Sequence, residues 1–231
     1  MKKILTIFLF VQTVIAAMAN DKIETYSIKL SEFSRLKVVD AVNVDYVCSP
    51  DSAGTAFFEA TAAQASLIGF RNNNGQLEIS FTTEVAPMTK LPVVRVYSTF
   101  LTSVENDGDS TVRVLNVASC PEFKARLVGN GRLSVRNIEA TKVKASLSTG
   151  NGTLAITGKC DEAVLNLAGT GTIQADGLEA VAVSCRAAGT GSIGCYATKE
   201  LKVKGLGSTS IFYRGNPKIK KTAIGVKIQP L

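Results

Sequence analysis

The sequence predicts an all-β fold built as a stack of coils of about 20 residues each, and three observations carry that reading. A glycine-marked turn recurs six times in the second half of the 231-residue chain: Asn106-Asp107-Gly108-Asp109, Gly129-Asn130-Gly131, Gly150-Asn151-Gly152, Gly169-Thr170-Gly171, Gly189-Thr190-Gly191 and Gly205-Leu206-Gly207. From the second copy on, the leading glycines stand 21, 19, 20 and 16 residues apart. Each turn follows a short run of alternating apolar and polar residues, the period of a strand with one buried face. A unit of that size cannot bury an apolar face alone, so each must stack on its neighbours.

Taken in order, the chain opens with the pattern of a secretory signal over residues 1–19: Lys2 and Lys3, an apolar run from Ile4 to Ala16 broken only by Gln12 and Thr13, and Ala17-Met18-Ala19. Small residues one and three before the cut make Asn20 the expected mature N-terminus. The apolar run is shorter than the roughly 20 residues that span a bilayer, and no later segment is expected to span one. Residues 20–231 then read as one domain, glycine-poor over 20–98 and glycine-rich over 99–231. Strands are expected at Tyr26–Leu30, Arg35–Val39, Val42–Cys48, Thr55–Ala60, Gln76–Phe81 and Val93–Ser98, all rich in Val, Ile, Phe and Tyr. Asn72-Asn73-Asn74-Gly75 marks a tight turn. Thr61–Ser66 is alanine-rich, and the expectation there is a loop or strand end.

In the repeats, Leu127, Leu167, Ala187 and Val203 precede the glycine pairs by two residues and Leu147 by three. Leu133 with Val135, Leu154 with Ile156, Ile173 with Ala175, Ile193 with Cys195 and Ile211 with Tyr213 follow them. Alternate residues face opposite sides, so these positions are expected to line up inward from coil to coil. A second corner is expected at Asn137-Ile138-Glu139, Thr157-Gly158-Lys159, Asp176-Gly177-Leu178 and Ala197-Thr198-Lys199. Gly129, Gly131, Gly150, Gly152, Gly169, Gly171, Gly189, Gly191, Gly205 and Gly207 are read as structural, because stacked sharp turns favour a residue without Cβ. A phosphate loop is a poor fit, since Gly-Thr-Gly leads into a strand and lacks the lysine and helix. The calcium-binding nonapeptide also fails, lacking its aspartate after every pair.

Formal net charge is +7, or +5 once Lys2 and Lys3 are removed with the signal, and there is no histidine or tryptophan. Dense Lys/Arg blocks of a nucleic-acid binder are missing, and so is the commonest general base and metal ligand. The five cysteines, Cys48, Cys120, Cys160, Cys185 and Cys195, are odd in number and match no stapled scaffold or zinc spacing. Small buried hydrophobes in an apolar stack account for them, while a Cys185–Cys195 bridge within one coil stays open.

Carboxylates on the repeats, Glu139, Asp161, Glu162, Asp176, Glu179 and Glu200, fall at or near the second corner and read as solvated. Asp107 and Asp109 flank Gly108 but supply too few ligands for calcium, so no metal and no cofactor is expected. The outward positions before the turns are more informative. Lys124 and Arg126, Lys144 and Ser146, Asn166, Ser184 and Arg186, and Lys202 beside Lys204 would form a ladder of donors at about 4.8 Å per coil. An ordinary soluble sheet face explains this pattern; so does a groove for a repeating anionic polymer such as an acidic polysaccharide, gripped by many weak contacts.

Together the leader, Phe33-Ser34-Arg35-Leu36-Lys37-Val38, Leu77-Glu78-Ile79-Ser80, the serial turns and the ending Ile211-Phe212-Tyr213-Arg214-Gly215-Asn216-Pro217 resemble the bacterial auto-transporter adhesin family with the head-GIN domain, common in Bacteroides-type bacteria. Nearly all of residues 20–231 share the likeness. The resemblance implies a right-handed, single-stranded parallel β-helix of the pectin-lyase type, and adhesion without any catalytic residue to carry over. Gly205-Leu206-Gly207 departs from the usual small polar middle residue. The expectation is an exported, non-enzymatic binding protein of the periplasm, outer membrane or cell surface. Its partner would be a host or bacterial surface glycan or protein, with homo-oligomers open and nucleic acid excluded. A polysaccharide lyase or hydrolase on the same scaffold is the alternative, and a self-assembling structural envelope protein is another.

Overall fold

The structure, a computed structural model, describes residues 22–82 and 92–231; the expected leader lies outside them. In chain order the strands are β1 (Glu24–Lys29), β2 (Arg35–Val39), β3 (Asn43–Cys48), β4 (Thr55–Ala60), β5 (Ile68–Asn73), β6 (Gln76–Phe81), β7 (Val93–Ser98), β8 (Ser103–Asp107), β9 (Thr111–Asn116), β10 (Cys120–Val128), β11 (Arg132–Ser148), β12 (Thr153–Gly169), β13 (Thr172–Gly189), β14 (Ser192–Gly207), β15 (Ser210–Arg214), β16 (Lys218–Ile224) and β17 (Lys227–Pro230). Strands make up 72% of the described residues, forming a β-solenoid of about six turns with coils near 20 residues, as the turn spacing predicts.

Each coil gives one segment to each of two parallel sheets. Arm A runs through β6, β2, β8, β10, the second halves of β11 to β14, and β16. Arm B runs through β7, β3, β9, the first halves of β11 to β14, β15 and β17. Register then stacks like on like. In arm B one inward column reads Val94, Val44, Val112, Leu133, Leu154, Ile173, Ile193, Ile211 and Ile228. Its arm A counterpart reads Leu77, Leu36, Val104, Ala125, Ala145, Leu165, Cys185, Val203 and Lys221. Burying each Leu or Ile contributes about 1.5–3 kcal/mol, and the continuous column is what makes the coils cohere.

Two features depart from a serial stack. The β2–β3 coil, first in sequence, lies between the β6–β7 coil and the β8–β9 coil. It is locked there by Asp45, whose carboxylate takes a bidentate bond from Arg113 on β9 at 2.6 and 2.7 Å. Beyond β6 and β7 the direction reverses: β5 is antiparallel to β6, β4 to β7 and β1 to β4. These strands cap the solenoid. Phe58 on β4 stacks on Tyr26 of β1 at 5.3 Å and tilts against Phe70 of β5 at 6.1 Å, closing that end of the core. The β5–β6 hairpin turns at Asn74 and Gly75, both with positive φ, as the Asn-Gly pair predicts.

Thr61–Ser66 is a correction. Ala62–Ser66 forms a helix, α1, because Thr61 and Gln64 make a reciprocal capping box that satisfies two backbone N–H groups at its start. The second corners also differ from separate loops. β11 to β14 each run through one as a single strand, and the bend is taken up where the pairing skips residues, at register shifts at Val135/Ile138, Ala155/Thr157, Ala175/Glu179 and Ala180/Ala182.

Candidate binding face

The glycine turns join arm A to arm B and stack in two columns. Gly150 sits over Gly129, Gly169 over Gly150 and Gly189 over Gly169, with Gly152, Gly171 and Gly191 stacked above Gly131. A Cβ at Gly189 or Gly191 would overlap the carbonyl oxygen of Gly169 or Gly171 in the coil below. Polar residues of the turns bond along the stack. Asp109 Oδ1 accepts from the Asn130 N–H at 3.3 Å, Asn130 Oδ1 accepts from the Asn151 N–H at 3.0 Å, and Thr170 Oγ1 donates to the Gly150 carbonyl at 3.0 Å. Asp109 is thereby used in the stack. Asn106 is fully buried, and its Nδ2 donates to the Ser110 and Arg132 carbonyls at 2.9 and 3.1 Å.

Gly205 falls elsewhere. Its register partner is Ala187, and Gly207 takes the place above Gly189. The repeat from Gly189 is therefore 18 residues, closer to the common period than the 16 obtained by aligning on Gly205.

Pairing register brings the predicted donors onto the outward face of arm A. One column reads Arg35, Ser103, Lys124, Lys144, Val164, Ser184, Lys202 and Lys220. The next reads Lys37, Glu105, Arg126, Ser146, Asn166, Arg186, Lys204 and Thr222. Val164 interrupts the first column. Asn166 Nδ2 donates to Ser146 Oγ at 3.3 Å, and its Oδ1 is covered without a partner.

A third column carries acids that a simple donor ladder omits. Glu122 lies between Lys124 and Lys144, at 3.2 and 2.9 Å, and Glu200 between Lys202 and Lys220, at 2.9 and 2.7 Å. Lys144 and then Lys124 hold the Glu122 carboxyl below its usual range, and Lys220 and Lys202 hold Glu200 at about 2. Glu105 pairs with Arg126 at 3.5 Å. Among the described residues Arg186 and Lys204, register neighbours on adjacent coils, form no ion pair. Each two-lysine cluster keeps one net positive charge after sharing its glutamate. Arm B contrasts in its middle coils: its outward column is neutral from Thr153 through Thr172 and Ser192 to Ser210, with Arg132 and Lys227 only at either end of that run, and Thr172 meets Ser192 at 3.1 Å.

The corner acids come together as well. Glu139, Asp161 and Glu179 line a groove of about 660 Å³ with Lys159, Cys120 and Cys160. Burial, aided by Asp161 and Glu162, pushes the Cys160 thiol up to about 12, and burial also raises Cys120, so both stay protonated and poorly nucleophilic. Cys185 and Cys195 are free thiols buried opposite each other in the core, and Cys185 is raised well above its ordinary value by its hydrogen bond to Cys195 and by burial. Among the described residues no His/Cys/Asp/Glu group could hold a metal, and no helix is long and apolar enough to cross a membrane.

The family model described as putative auto-transporter adhesin, head GIN domain, matches residues 32–217. The chain belongs to this family. No curated protein matches it. Among solved structures it is similar to a putative adhesin from Bacteroides fragilis, with TM-score 0.84 and 23% identity over 92% of this chain and 99% of that one. A putative adhesin from Parabacteroides distasonis superposes with TM-score 0.75 and 19% identity over 92% and 98%. A third, named a putative lipid binding protein from the same species, gives TM-score 0.71 at 19% identity over 92% and 98%. At these identities the likeness shows the shared fold.

Proposed function

We propose that this family member is an exported, non-catalytic adhesion protein that holds a repeating anionic polymer, such as an acidic polysaccharide, along the outward face of arm A. The observation that carries the reading is the register of cations on that one face. Lys124 with Lys144, Arg186 with Lys204, and Lys202 with Lys220 each recur at the coil spacing, about 4.8 Å. A polymer laid along the stack meets a donor at successive coils, and contacts that are weak singly add because they are linked. The adhesin family supports binding to a surface partner, and arm B, neutral from Thr153 to Ser210 in its outward column, offers no cations at successive coils there.

Titration with oligogalacturonate and with heparin, calorimetrically and at two salt concentrations, tests this. Binding is expected to weaken with salt, since exposed charges are screened. Lys144→Ala and Arg186→Ala should each reduce affinity about 2- to 5-fold, the worth of one exposed ion pair. Unchanged binding by both variants overturns the assignment of the face. Incubation with pectin, alginate and glycosaminoglycans should yield no unsaturated uronate or new reducing ends; turnover would instead make the scaffold that of a lyase or hydrolase.

A further inference from the structure

The C-terminal end of the solenoid is unlike the rest in charge and in surface. Residues 182–231 hold nine Lys/Arg and a single carboxylate, Glu200, a net +8, whereas residues 1–181 hold seventeen against eighteen, a net −1. Two large apolar side chains project from the same end. Leu206 is 66% exposed and Ile224 74%, and they are register partners on β14 and β16. In the three preceding coils their column holds the small residues Ser148, Ala168 and Ala188, and before those the half-buried Val128. On the same outward face, the column two residues earlier holds Lys204, and the one before that Lys202 and Lys220.

We infer that this end is a docking surface for an anionic phospholipid membrane, with Leu206 and Ile224 entering the interface and Lys202, Lys204, Lys218 and Lys220 set among the headgroups. An apolar tip ringed by basic side chains is the arrangement that binds a negatively charged bilayer surface, combining insertion with electrostatic attraction. A second copy of the chain fits this end poorly. The arm A core column terminates in Lys221, whose Nζ turns back to donate to the Val226 carbonyl at 2.6 Å, so a further coil stacked there would bury an ammonium group. Two such ends would also repel, each carrying +8. The patch differs from the polymer-binding face in its apolar tip, and Lys144 lies three coils before β14, outside the patch.

Cosedimentation of the purified protein with vesicles of 70:30 phosphatidylcholine and phosphatidylglycerol, against phosphatidylcholine alone, tests the inference. The expected result is salt-sensitive binding to the anionic vesicles only. Leu206→Ser with Ile224→Ser should lower partitioning about tenfold without moving the thermal melt. Lys204→Gln with Lys218→Gln and Lys220→Gln should lower it as much and flatten its salt dependence, while Lys144→Ala should leave it unchanged. Equal binding to neutral vesicles, no binding to anionic ones, or wild-type partitioning by both multiple variants overturns the proposal.

Discussion

Replacing Gly189 by alanine separates the two reasons a glycine stands in the turn. Gly189 has φ of +150° and Gly129 has +93°, both costly for a residue with Cβ. That strain alone is worth about 1–3 kcal/mol. The space differs. A Cβ at Gly129 would find its nearest neighbours, Asp109 Oδ1 and the Gly108 carbonyl oxygen, at 3.7 and 3.8 Å, ordinary contact, whereas at Gly189 it would overlap the Gly169 carbonyl. Relieving the overlap must part the coils where Thr190 N–H donates to Gly169 O at 3.1 Å and Ser208 N–H to Gly189 O at 2.9 Å. Two such bonds contribute about 1–3 kcal/mol net. Gly129→Ala should therefore cost about 2 kcal/mol and Gly189→Ala about 4. For a domain of this size these correspond to melting-temperature losses of about 6 °C and about 12 °C. Thermal melts followed by the β-sheet circular dichroism band read both. A Gly189→Ala protein that melts no lower than Gly129→Ala would refute the stacked-carbonyl reasoning.

Other perturbations follow from the same contacts. Asp45→Ala removes the bidentate partner of Arg113 between the displaced β2–β3 coil and β9, and should destabilise the fold by about 1–3 kcal/mol in urea titration; Arg113→Ala, which strands a nearly covered carboxylate, should cost at least as much. Glu200, held at about 2 against an ordinary 4.5, is a carboxylate stabilised in the fold. Its contribution is present above pH about 4.5 and lost as pH falls toward about 2, a window that side-chain carboxyl NMR titration would locate and that Lys220→Gln should shift upward. Maleimide labelling of the native protein should leave Cys185 and Cys195 unmodified, and labelling in denaturant without reductant should modify all five cysteines; three modified thiols would mean that the pair is bridged.

The solenoid was readable because its signals are local. Alternation, the turn glycines and the Asn74-Gly75 pair each act over a few residues, and four early strands, from Arg35–Val39 to Val93–Ser98, have the bounds that alternation predicts. What escaped is what depends on distant register. Nothing in Arg35–Cys48 shows that this coil inserts between β6–β7 and β8–β9, because the Asp45–Arg113 bond that holds it spans 68 residues. The small helix at Ala62–Ser66 rests on a capping box, Thr61 with Gln64, that was legible but was outweighed by the strand pattern around it. Gly205 looked like a leading turn glycine until pairing put it beside Ala187. On the outward face of arm A the cations are legible from their spacing before the turns, whereas Glu122 and Glu200 become their partners only through the coil register.

Side-chain nitrogen resonances test the central claim most directly, since Lys Nζ and Arg Nε groups report on each face separately. On adding oligogalacturonate, signals of Lys124, Arg126, Lys144, Arg186 and Lys202 on arm A should shift together, while Arg113 and Arg132 on arm B stay in place. Shifts confined to Arg113 and Arg132, or no shift on either arm at saturating polymer, would contradict the assignment of arm A as the recognition face.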